Sequence, residues 1–126
     1  MNSTEKIKES LNVIREVLDA DVQDVDIEMV VNKALRVSQL IGLSAECKAA
    51  SKRLLKTANL MALNEIQGEN LGYNLTVKKM EAMCPEETEL FEYADRINAA
   101  CGHCLDTLRS VISLRKQEMA NEFKSV

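Results

Sequence analysis

The segment Leu90–Val111, LFEYADRINAACGHCLDTLRSV, decides the fold of this 126-residue chain. Apolar or small residues recur in it at alternating intervals of four and three residues, which is the heptad pattern of helices packed lengthwise. The residues of this seam are Leu90, Ala94, Ile97, Cys101, Cys104, Leu108 and Val111. The pattern predicts a long C-terminal helix whose apolar edge holds together a helix bundle or an oligomer.

The rest of the composition also favours helices. The chain has one Pro and four Gly, whereas a β-protein of this length would need frequent Gly and Pro at its turns. We therefore predict an all-α, self-associating bundle of long helices that forms a single domain.

Four segments are expected along the chain. A short helix covers residues 3–19, and a long helix covers about 26–66, with Asp24 or Asp26 as its cap. A loop follows over 67–75, and the C-terminal helical part covers 76–121. The pattern leaves open whether 26–66 is one helix or two helices joined near Gly42, and we favour one. Pro85 suits the first turn of the last helix, where its missing N–H costs nothing.

The net charge of −4 is unevenly distributed. Residues 1–30 sum to −5, residues 31–64 to +5, residues 65–95 to −6 and residues 96–126 to +2. Alternating blocks of this kind are typical of complementary subunits, or of a basic face on an otherwise acidic protein.

The chain is expected to be cytoplasmic. It contains no apolar stretch long enough to span a bilayer, and its first residues lack the apolar core of a signal peptide. Its four cysteines are then expected to be reduced thiols, and no membrane partner is expected.

The sequence Cys101-Gly102-His103-Cys104 has the spacing of a redox motif, but its context favours a structural role. Thiol exchange needs a lowered thiol pKa, which is usually obtained at a helix N-terminus, whereas these residues lie deep inside a helical pattern. A zinc site that adds Cys84 or Cys47 is the other alternative, yet His103 would point away from the face shared by the two cysteines. We expect neither a metal nor a cofactor.

Catalytic patterns are also missing. The chain has one histidine, no glycine-rich phosphate loop and no Ser/His/Asp set that its spacing would bring together. We expect a protein that is not an enzyme.

The strongest functional signal is basic. Lys48, Lys52 and Lys56 are spaced four residues apart and form one row on a helix, and Arg53 lies beside this basic row. Like charges at this spacing repel one another, and a phosphate backbone would offset that cost. The alternatives are a solvated face, or docking of the row onto the acidic block Glu81–Asp95 of the same or a neighbouring subunit.

With these residues in place, the chain resembles the UvsY-type recombination mediators of T4-like bacteriophages over about residues 46–118. The C-terminal match consists of Cys101, Leu105, Asp106, Leu108, Arg109 and Ser110. Upstream, Leu55-Lys56-Thr57-Ala58 occupies the place of the family's DNA-contacting basic motif, although Ala58 stands where that family has Arg.

This resemblance implies a ring-like homo-oligomer that binds single-stranded DNA through Lys48, Lys52, Arg53 and Lys56. It also implies that the protein helps a RecA-like recombinase to load in place of a single-strand-binding protein, in the host cytoplasm if a phage encodes it. The alternative function is a helical interaction, regulatory or structural phage protein with no nucleic-acid role.

Overall fold

The computed structural model describes residues 3–23 and 26–125, with side chains up to residue 123. This part of the chain folds into four helices and no strands, which confirms the all-α prediction. The helices are α1 (Ser3–Asp19), α2 (Ile27–Ile66), α3 (Tyr73–Ala82) and α4 (Pro85–Ser125).

The two long helices, α2 and α4, lie side by side and antiparallel. Asn98 of α4 donates a hydrogen bond to Ser44 of α2 over 2.8 Å, and one turn further along α2 the Lys48 ammonium lies 2.9 Å from the Asp95 carboxylate. The residue numbers thus rise along one helix as they fall along the other. This register places the start of α2 close to residue 115 of α4.

Helix α1 completes a three-helix bundle by packing against both long helices. The Lys33 ammonium donates to the backbone oxygens of Leu18 and Ala20 at 2.9 and 2.6 Å, and the Tyr93 hydroxyl donates to Asn12 over 2.8 Å. The Lys33 contacts satisfy carbonyls at the C-terminal end of α1, where a positive charge is favoured. The short helix α3 lies over the far end of α2 and contributes no buried residue.

The bundle core is a row of apolar and small side chains from all three helices. Ile7, Leu11 and Ile14 come from α1, and Leu11 and Ile14 have no exposed surface. Small residues occur among larger ones in the buried rows of α2 and α4, which lets the two helices pack closely. The small buried residues are Ala34, Ser44, Cys47 and Ser51 of α2 and Ala94 and Cys101 of α4.

The two buried serines have local hydrogen-bond partners. Ser44 donates to the Ile41 carbonyl over 2.8 Å, and Ser51 donates to the Lys48 carbonyl over 2.9 Å. Within the described residues, no buried side-chain nitrogen or oxygen lacks a partner. The two buried serines therefore add no desolvation penalty of the kind that unpaired polar groups would add.

The helix bounds refine the predicted segments. Helix α2 is continuous through Gly42, and Asp26 caps it by accepting a hydrogen bond from the Met29 N–H, whereas Asp24 lies outside the described residues. The loop is shorter than the predicted 67–75, because Gly72 precedes a helix that already begins at Tyr73. The C-terminal part ends at Ser125 and not at residue 121.

Five of the seven seam residues are buried inside the bundle, while Cys104 and Val111 are only half-buried. Leu105 is buried where the heptad pattern predicted Cys104, with 7% of its surface exposed. A straight α-helix has 3.6 residues per turn, so an apolar stripe drifts by about 20° per heptad relative to an exact seven-residue repeat. The buried face therefore shifts by one residue towards the C-terminal end of α4.

None of the four helices in the described part of the chain has the length and apolarity needed to cross a bilayer.

Candidate nucleic-acid interface

The basic row lies on α2, and it begins at Lys48 within the packed part of the helix, between the buried residues Cys47 and Ser51. Since α2 is uninterrupted, Lys48, Lys52 and Lys56 follow one another at intervals of one turn. Each step of four residues also rotates the side chain by about 40° around the helix axis. The row therefore begins at the α4 side of α2 and turns progressively outwards.

Lys48 is the member of the row that meets the acidic block. Its ammonium lies 2.9 Å from Asp95, and the two side chains are 41% and 54% exposed. An ion pair this exposed contributes at most about 1 kcal/mol to stability. Docking onto the acidic block of the same subunit thus occurs at this one lysine.

Lys52, Arg53 and Lys56 are exposed, and the structure gives them no ion-pair partner among the residues it describes. We call these three residues the basic face. Arg53 lies at the α1 side of this face, where it shares a shallow depression with Ser3 and Ile7.

Acidic side chains limit the direction from which an anion can approach. A shallow cleft is lined by Leu55 and Asn59 of α2 on one side, and by Glu81 of α3 and Glu89 and Glu92 of α4 on the other. These carboxylates repel phosphate from the cleft. An anion is therefore favoured on the outer side of α2, where the basic face lies.

Large apolar side chains are also exposed at this end of the molecule. In α2 they include Leu60 and Leu63, which are 61% and 40% exposed, and Met61. Tyr73 and Leu75 of α3 are 83% and 58% exposed. Single exposed apolar residues are ordinary, but a group of them around one helix end is typical of a binding surface.

The cysteines are free thiols, and three of them are buried. Burial raises the pKa of Cys47, Cys84 and Cys101, and the carboxylates of Glu87 and Glu65 raise the pKa of Cys84 further. A raised pKa disfavours the reactive thiolate, which is the opposite of what a redox cysteine needs. Cys101 lies well inside α4 and not at its N-terminus.

Among the residues that the structure describes, no three His, Cys, Asp or Glu side chains lie close enough together to hold a metal ion. His103 is exposed and Cys101 is buried, so the two side chains occupy different environments on α4.

One contact of this surface was predicted only as an alternative, and one feature was missed. Docking of the basic row onto the block Glu81–Asp95 was the alternative, but its restriction to the pair of Lys48 and Asp95 depends on the register of α2 against α4. The exposure of Leu60 and Leu63 was missed because apolar residues in a helix are normally expected to face a core. The available signal was their position, since both continue the side of α2 that carries Arg53 and Lys56.

Comparisons with protein-family models, with curated proteins and with solved structures find no match to this chain.

Proposed function

We propose that this chain is a non-enzymatic accessory factor that binds single-stranded DNA through its basic face. The observation that carries the proposal is the exposure of Lys52, Arg53 and Lys56 without ion-pair partners, next to a lysine that does have one. Three cations within two helical turns repel one another, and a phosphate backbone relieves this repulsion. Lys48 contributes less, because a phosphate would have to compete with Asp95.

A role in phage-type homologous recombination or replication is part of the same proposal, and it rests on the resemblance over residues 46–118. In that role the chain would help a RecA-like recombinase to load onto DNA that a single-strand-binding protein covers, in the host cytoplasm. The protein itself would perform no chemistry. It would act by binding and by presenting the strand.

Self-association is proposed through a different surface from the predicted seam, because most of the seam is buried within the chain. Every described side chain from Lys116 to Phe123 is exposed, including Met119 at 54% and Phe123 at 82%. This end of α4 extends past the start of α2 by nearly three turns, and a short helical segment gains most of its stability from packing. A second copy would cover it.

Light scattering of the wild type and of Met119→Ala/Phe123→Ala tests this part. We expect an oligomer for the wild type and a smaller species for the double variant, with unchanged helix content by circular dichroism. A monomeric wild type at high protein concentration would rule out self-association.

Fluorescence anisotropy with a labelled single-stranded oligonucleotide at low salt tests DNA binding. The variant Lys52→Ala/Arg53→Ala/Lys56→Ala should lose most of the binding, since alanine preserves the helix while removing the charges. The control is Lys6→Ala/Lys8→Ala/Lys78→Ala, which removes the same charge from exposed positions on α1 and α3. Equal losses for the two triple variants would mean that only net charge matters.

The second candidate function is a helical interaction or structural protein without a nucleic-acid role. It is favoured by the exposed apolar side chains at both ends of the bundle, among them Tyr73 and Phe123. A wild type that binds no single-stranded DNA at low salt would make this the better assignment.

A further inference from the structure

The outer side of α2 does not end with its cations. Leu60 lies seven residues after Arg53 and four after Lys56, and Leu63 lies seven residues after Lys56. Seven residues are almost two full turns, so these side chains share one side of the helix within an arc of about 80°. They extend over about 15 Å along the helix axis, at 1.5 Å per residue.

Both leucines are available to a ligand. Leu60 is 61% exposed and Leu63 is 40% exposed. On the inner side of the same turns, Ala62 and Ile66 are only 4% and 5% exposed. The inner side chains thus satisfy the packing needs of this part of α2. The two outer leucines contribute apolar surface that the fold of the chain leaves uncovered.

We propose that Leu60 and Leu63 contact unstacked bases and make the basic face select single-stranded over duplex nucleic acid. The inference rests on the proposed DNA-binding function, since the adjoining cations are what bring a strand to this surface. A single strand presents apolar base faces beside its phosphates, and apolar side chains can cover them. In a duplex the base faces are stacked against one another, so the two leucines would gain nothing from it.

Charge complementarity favours a nucleic-acid strand as the ligand of this surface. No acidic residue occurs in α2 between Glu46 and Glu65, so the whole outer side from Lys52 to Leu63 is positive or neutral. A strand running along α2 would place its phosphates at the basic face and its bases at the leucines, one or two helical turns away.

The test compares Leu60→Ala/Leu63→Ala with Leu35→Ala, titrated into single-stranded and duplex oligonucleotides of the same sequence. Leu35 is 59% exposed on the same outer side of α2, but about 27 Å from Arg53 at 1.5 Å per residue. We expect the Leu60/Leu63 variant to lose about tenfold in affinity for the single strand and less than twofold for the duplex. The Leu35→Ala control should bind both nucleic acids like the wild type.

The salt dependence of binding separates apolar from ionic contributions. Removing the leucines should leave the slope of log K against log salt unchanged, because no phosphate contact is lost. If the Leu60/Leu63 variant binds the single strand as tightly as the wild type does, the base-contact proposal is wrong while DNA binding by the basic face stands. If the wild type binds no single strand, both proposals fail together.

Discussion

The two parts of helix α2 differ in how many of their side chains the other helices bury. From Val30 to Ser51, a buried side chain occurs at every third or fourth position, because α1 lies along one side and α4 along the other. From Lys52 to Ile66, only Ala62 and Ile66 are buried. The first part is constrained by packing, and the second part presents cations and leucines to solvent.

The difference has a simple structural cause. The start of α1 lies beside the middle of α2, where Ser3 and Ile7 share a shallow depression with Arg53, Leu54 and Thr57. Beyond that point α2 packs only against α4 and the short helix α3. We infer that the chain separates its functions along one helix, with stability in the first part and binding in the second.

The largest expected effect is on stability in the packed part. Leu11 is fully buried against α2 and α4, so Leu11→Ala should lower the free energy of unfolding by about 3 kcal/mol through lost burial and a new cavity. Leu75→Ala on α3 is the matched control, because Leu75 is 58% exposed, and it should change stability by less than about 0.5 kcal/mol. Urea unfolding followed by circular dichroism measures both. Equal losses would mean that the far end is as tightly packed as the bundle.

The alkylation rates of the four thiols should also differ between the packed bundle and its weakly packed end. Cys104 is half-buried and should react first with iodoacetamide, while burial and the raised pKa of the other three thiols should slow their alkylation at pH 8. Among these three, Cys84 should react before Cys47 and Cys101, because it lies at the weakly packed end and is reached by local opening. Mass spectrometry of a time course gives the order, and reaction in denaturant is the control. Cys101 reacting before Cys84 would contradict the comparison.

Burial of the thiols also predicts a pH dependence of stability. A thiol whose pKa is raised in the folded state holds its proton there at pH values where the unfolded chain has released it. Each buried thiol makes its full contribution to stability below the ordinary thiol pKa of about 8.5. This contribution decreases as the pH rises above that value. Unfolding of the wild type and of Cys101→Ala at pH 7 and pH 10 should show the larger decrease for the wild type. An equal decrease in both proteins would mean that Cys101 makes no such contribution.

The smallest expected effect concerns Lys48, the one member of the basic row that lies in the packed part of α2. Asp95→Asn removes the partner of Lys48, and because the pair is exposed, stability should change by less than about 1 kcal/mol. Affinity for single-stranded DNA should rise by at most about threefold, since one more cation is released for phosphate. Glu92→Gln is the control, because it removes the same charge from the neighbouring cleft without breaking an ion pair. A larger gain for Glu92→Gln would show that the general field of the acidic block matters more than the pair.

Much of the fold was predictable because helix periodicity is a local property. The spacing of Ile7, Leu11 and Ile14 follows one helical face, and Pro85 begins α4. The exact buried face was less predictable, since Leu105 replaces Cys104 through the drift between 3.5 and 3.6 residues per turn. The basic row could be predicted from residue spacing alone. The spacing could not show which of its members lack an ion-pair partner, because that depends on the register that brings Asp95 to Lys48.

The most direct test of the central claim is the salt dependence of single-stranded DNA binding. If Lys52, Arg53 and Lys56 each contact a phosphate, the slope of log K against log salt should be near −2 per subunit, at about −0.7 per contact. In Lys52→Ala/Arg53→Ala/Lys56→Ala the slope should fall close to zero, while the stability of the packed part of α2 stays unchanged. A triple variant that keeps the slope and affinity of the wild type would contradict the assignment of binding to the second part of α2.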